Sequence, residues 1–94
     1  MNQTVTNKQL VLIKLVTSEI CTFYNVIDDV TNKAKVPGKY AGYTLDDCVR
    51  LVRFYNLIIA RKFKKAYQQL SYLWKESGLV PDAIAQSLTE IIEI

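Results

Sequence analysis

Ninety-four residues, half of them apolar and under a quarter charged, make one small folded domain and exclude an intrinsically disordered chain. The sequence has no histidine, only three glycines and two cysteines, Cys21 and Cys48. That removes the commonest neutral-pH general base, any glycine-rich phosphate loop and any disulfide framework. The net charge of +3 is unevenly spread: residues 1–47 balance five lysines against five acids, whereas residues 48–77 carry seven cations against Glu76 alone. A positive block of this kind points to an anionic partner or to an acidic patch on another subunit.

The first helix is expected from about residue 7 to 35. Thr6 and Gln9 have capping-box spacing, in which hydroxyl and amide each satisfy a free backbone N–H. Behind them Ile13, Val16, Ile20, Phe23, Ile27, Val30 and Ala34 recur at alternating steps of three and four, the seam of a helix packed along another helix. Val36–Pro37–Gly38 ends the element, since proline disfavours helical geometry at Val36 and Gly38 tolerates a positive φ. The stretch Leu10–Val16 is too short, and too interrupted by Lys14, to read as a signal peptide, and no run approaches the roughly 20 apolar residues of a membrane span.

Residues 44–77 contain neither glycine nor proline. Thr44 and Asp47 form a second capping box, Asp46 and Asp47 suit the positive end of the dipole, and Tyr43 and Cys48 occupy the two positions of a hydrophobic staple. The spacing predicts one continuous helix over about 45–77, closed by Gly78 in a left-handed cap. Leu45, Cys48, Val52, Tyr55, Ile59, Phe63, Ala66, Leu70 and Leu73 fall on one side of it and the cations on the other. One irregularity interrupts the seam: Ile59 to Phe63 follows another step of four, a stutter that marks Ala60–Lys62 as the place for a bend.

Pro81 and Asp82 open a short third helix over about 81–93, with Ile84, Leu88 and Ile91 as its apolar stripe. The expected fold is therefore all-α: an antiparallel hairpin of two long helices plus a short C-terminal helix, in a single domain spanning 1–94. Two long helices and one short one leave apolar groove uncovered, so the hairpin is expected to complete a four-helix-type bundle as a homodimer.

Catalysis has little to stand on. Asp28–Asp29 and Asp46–Asp47 are neighbours in sequence, so each pair splays round its helix instead of converging. No metal, cofactor or enzymatic role is expected, nor a disulfide between Cys21 and Cys48. The candidate surface is the positive face of the second helix: Arg50, Arg53, Phe54, Leu57, Arg61, Lys64, Lys65, Tyr72 and Lys75. Cations mixed with aromatic and aliphatic groups suit a protein interface. The same mixture could contact the phosphates of DNA or RNA. The expectation is a cytoplasmic adaptor or small regulator that binds another protein through this face, with nucleic-acid binding as the alternative and no membrane association. Tyr40 and Tyr43, in the loop between the long helices, are expected to be exposed.

Overall fold

The computed structural model describes residues 6–33, 36 and 38–92, and shows an all-α chain of 45 × 25 × 18 Å with no strand among the described residues. Four helices follow one another: α1 (Asn7–Thr31), α2 (Leu45–Ile59), α3 (Phe63–Leu70), which runs on as a π-helical segment (Ser71–Glu76), and α4 (Asp82–Ile92). A short 3-10 turn, Gly38–Tyr40, lies between α1 and α2. In space α1 packs on α2 and α4, while α3 packs on α2 and α4.

Both capping boxes form. The Gln9 N–H donates to Thr6 Oγ1 at 3.1 Å while Gln9 Oε1 accepts from the Thr6 N–H. Asp47 and Thr44 repeat the pattern at 3.2 and 3.0 Å, so each long helix starts where its sequence dictates. Helix α1 stops at Thr31, four residues before its expected end. Lys33 adopts φ 56°, and its N–H bonds back to the Val30 carbonyl. A left-handed residue just past the C-cap terminates a helix whatever follows, and a cation there complements the negative end of the dipole. Expected seam residue Ala34 lies outside the described residues. Helix α4 begins at Asp82, with Pro81 just before it; the Pro81 carbonyl accepts from the N–H groups of Ile84 and Ala85.

The largest departure from the sequence reading is in residues 45–77. They do not form one continuous helix. At the position of the stutter, Ala60 caps α2, Arg61 takes φ 62°, and the chain folds back. The Lys62 N–H donates to the Leu57 carbonyl at 2.8 Å and the Arg61 N–H to the Ile58 carbonyl at 2.9 Å. This is a Schellman closure, with arginine where glycine usually stands. Neither glycine nor proline marks the break, because arginine itself takes the left-handed position.

Folding back changes what covers what. The core stripe of α2 is Cys48, Leu51, Phe54, Tyr55 and Ile58, clamped between α1 and α3. Leu45 and Ile59, expected on the buried side, are exposed. Helices α3 and α4 supply Phe63, Ala66, Leu70, Leu73, Ile84, Ala85 and Leu88 to the same core. The chain's own second half covers part of the groove that a second copy was expected to fill. On α1 the deepest residues are Leu12, Val16 and Phe23, close to the predicted seam but rotated towards Leu12 and Val26.

The loop tyrosines are not surface groups. Tyr40 is buried and Tyr43 half-buried, both against Phe23, with ring centroids 5.5 and 6.4 Å away; Phe23 also meets Tyr55 edge-on at 6.2 Å. The Tyr40 hydroxyl donates to the Glu19 carboxylate, and the Tyr43 hydroxyl donates to the Leu79 carbonyl at 3.0 Å. The loop thereby ties α1 to the α3–α4 connection. The cysteines are free; Cys48 is buried and Cys21 is exposed. Helix α1 is also long and apolar enough to cross a membrane by length and composition, contrary to the sequence reading, although its Leu12–Val26 stripe is in the core.

Candidate functional site

The fold-back places the cationic flank of α2 opposite α3 and its π segment, across a cleft of about 580 Å³. Arg50, Arg53 and Asn56 line it from α2, Lys62 from the turn, and Gln69 and Tyr72 from the other wall. Phe54, Leu57, Ala60 and Leu73 form its apolar floor. Phe54 and Leu73 are core residues whose edges reach the cleft, so the floor is held rigidly.

Two features order the rim. Arg50 Nε donates to Asp46 Oδ2 at 3.0 Å, one turn away on the same helix. Its guanidinium also stands 5.2 Å from the centroid of the Tyr72 ring, a cation–π contact from α2 to the π segment. The hydrogen bond to Asp46 raises the Arg50 pKa further, so this group is cationic at every accessible pH. Among the described residues, neither Arg53 nor Lys62 has a carboxylate partner.

The π segment sets the second wall. Ser77 donates both its N–H (2.9 Å) and its hydroxyl (2.8 Å) to the Tyr72 carbonyl, and the Leu73 carbonyl accepts from the N–H groups of Leu79 and Val80. Trp74 Nε1 donates to Asp82 Oδ1 at 2.8 Å, which fixes the start of α4 against the same turn. Within the π segment Tyr72 meets Arg50 while Leu73 stays in the core.

Of the nine residues singled out in the sequence, five come together here: Arg50, Arg53, Phe54, Leu57 and Tyr72. Phe54 is there as a core residue and not as an exposed contact. Arg61, Lys64 and Lys65 line a separate cavity of about 510 Å³ with Lys62, Gln9, Ile91 and Ile92, at the end of the bundle where α1 starts and α4 finishes. Lys75 borders a third, of about 300 Å³, with Trp74 and Thr89. The single positive ridge is therefore divided, because the reversal at Arg61 sends the cations of α3 away from those of α2. Sequence reasoning missed Asn56, Lys62 and Gln69. Asn56 had a signal, standing one turn beyond Arg53; Lys62 and Gln69 join only through the fold-back.

Among the described residues, no group of three or more histidine, cysteine, aspartate or glutamate side chains comes together. Burial, with the charge of Asp47 adding to it, raises the Cys48 thiol pKa and makes the thiolate less accessible there. No family model, no curated protein and no solved structure matches the chain.

Proposed function

We propose that the chain is a non-enzymatic, cytoplasmic interaction module that holds a segment of another protein in the α2/α3 cleft. The observation that carries this reading is the convergence of three cations, Arg50, Arg53 and Lys62, around an apolar floor. Arg50 is already committed to Asp46 and Tyr72 and acts as a fixed wall. Arg53 and Lys62 offer donors to an incoming carboxylate, while Leu57 and Phe54 receive an apolar side chain. The complementary partner is a short segment with an acidic residue beside a large apolar one. Arginine and tyrosine beside an apolar floor match the residue types favoured at interfaces.

Fluorescence anisotropy with labelled peptides of that pattern tests the reading. Arg53→Glu with Lys62→Glu should weaken binding by more than about tenfold, because the reversal sets like charges together. Affinity unchanged by the double reversal would remove the cleft from consideration.

A second reading rests on a different observation. Arg61, Lys62, Lys64 and Lys65 are four exposed cations within five residues. They could contact nucleic-acid phosphates, in which case affinity falls steeply with salt, and Lys64→Glu with Lys65→Glu abolishes binding. Lys62 borders both surfaces, so Arg53→Glu alone, set against Lys64→Glu with Lys65→Glu, is the comparison that separates the readings.

A further inference from the structure

We propose that the chain forms a two-fold homodimer through a largely apolar flank shared by α1 and α2. The fold-back leaves part of α2's predicted seam without a partner inside the chain. Leu45, Val49, Val52 and Ile59 follow one another at helical spacing along one flank of α2, interrupted by Asn56 where the flank borders the cleft. Helix α1 contributes Leu10, Ile13, Tyr24 and Ile27 beside them. Ile27 lines the same shallow groove as Leu45, Cys48, Val49 and Val52, a cavity of about 250 Å³ with apolar walls and Arg53 at its border with the cleft. Five of these side chains, Leu10, Tyr24, Leu45, Val49 and Ile59, are large hydrophobics exposed by 38 to 55%. A continuous strip of this kind exceeds the scattered apolar residues of an ordinary surface.

Its dimensions suit a second copy. Fifteen residues of α2 run about 22 Å, and two helices side by side present a band about 20 Å wide. Roughly 500 Å² would be hidden on each protomer, about 1,000 Å² in total, which is near the smallest area for a specific interface. A dissociation constant in the micromolar range is expected.

The edge charges select both the occupant and its orientation. Lys14 and Asp28 stand on the outer edge of α1, fourteen residues and about 21 Å apart, with Cys21 midway between them. A two-fold axis crossing the helices near Cys21 lays α1 antiparallel to its copy. Lys14 then meets Asp28 of the partner subunit, and the converse pair forms by symmetry. An unrelated partner would have to supply that spacing; a second copy has it already.

Sedimentation equilibrium of the full chain from about 1 to 100 μM should show reversible dimerisation; a 10.8 kDa monomer throughout would overturn the proposal. Val49→Glu, at an exposed position, should raise the dissociation constant more than tenfold with an unchanged thermal transition. An unchanged constant would overturn the assignment of this face. Lys14→Asp and Asp28→Lys should each weaken the dimer, and the double variant should restore it. A double variant as weak as the singles would rule out the antiparallel arrangement. A monomer that instead co-sediments with phosphatidylcholine vesicles would assign the flank to lipid.

Discussion

Helices α2 and α3 come from one unbroken glycine-free run, yet they are held in opposite ways. Helix α2 begins on a capping box, carries Asp46 and Asp47 in its first turn and closes in a Schellman arrangement, so each end is satisfied by its own neighbours. Helix α3 begins on Lys62 without a side-chain cap, sets Lys64 and Lys65 against the positive end of its dipole, and loses α-helical winding after eight residues. Its order comes from burial of Phe63, Ala66, Leu70 and Leu73 and from the carbonyls of Tyr72, Leu73 and Trp74 that tie down the next turn. One half of the run is a helix because of its sequence; the other is a helix because of its surroundings. The cleft lies between them, so its shape depends on the second.

The severest way to break that contrast is to remove packing from beneath α3. Leu73 is almost fully buried, and Leu73→Ala should cost about 2–5 kcal/mol in denaturant unfolding. Hydrogen exchange should then rise in residues 63–76 before it rises in 45–59. Equal loss of protection in both would show that α2 and α3 open as one unit.

The next effect lies under α2. Tyr40→Phe removes a hydrogen bond to the Glu19 carboxylate and should cost about 2 kcal/mol at neutral pH. Burial, and then Glu19, pushes the Tyr40 phenol above its usual pKa of 10.0; Tyr43 and Tyr55 are raised for the same two reasons. Above pH 10 the unfolded chain therefore releases protons that the folded chain retains. Stability should be complete below pH 10 and fall as the pH rises beyond it, by up to about 1.4 kcal/mol per unit for each tyrosine. Thermal melts from pH 8 to 12 would show this slope, which Tyr55→Phe should flatten.

What was legible in the sequence followed from local chemistry. Thr6–Gln9 and Thr44–Asp47 are read within four residues, and Gly78 takes the predicted left-handed cap at φ 65°. The break was located by the stutter between Ile59 and Phe63 but not anticipated in form, because Arg61 occupies a position that glycine normally announces. The π segment has no sequence signature to read, and burial of Tyr40 and Tyr43 depends on Phe23 and Leu79, which are distant in the chain. The cleft shows the same division. Arg50, Arg53 and Leu57 were found because they share a helix flank; Lys62 and Gln69 were not, since only the reversal brings them there.

A smaller effect tests the self-sufficient half. Thr44→Ala removes one partner of the α2 capping box and should cost about 1 kcal/mol, with a lower thermal midpoint. Because this box acts locally, the loss should add to that of Leu73→Ala within about 0.5 kcal/mol in the double variant.

The smallest effect is the one that runs the other way. Arg61 holds φ 62°, a conformation that costs an L-residue about 1–2 kcal/mol relative to the right-handed one. Glycine adopts it freely, though its greater freedom in the unfolded chain returns part of that gain. Arg61→Gly should therefore stabilise the fold by about 0.5–1 kcal/mol, whereas Arg61→Ala, which keeps the Cβ, should not. The cleft should be indifferent to either change, because Arg61 lines the cavity at the end of the bundle. A chain that Arg61→Gly destabilises would mean that the guanidinium, and not the backbone bonds of Arg61 and Lys62, holds the reversal in place, and that α2 depends on its surroundings as much as α3 does.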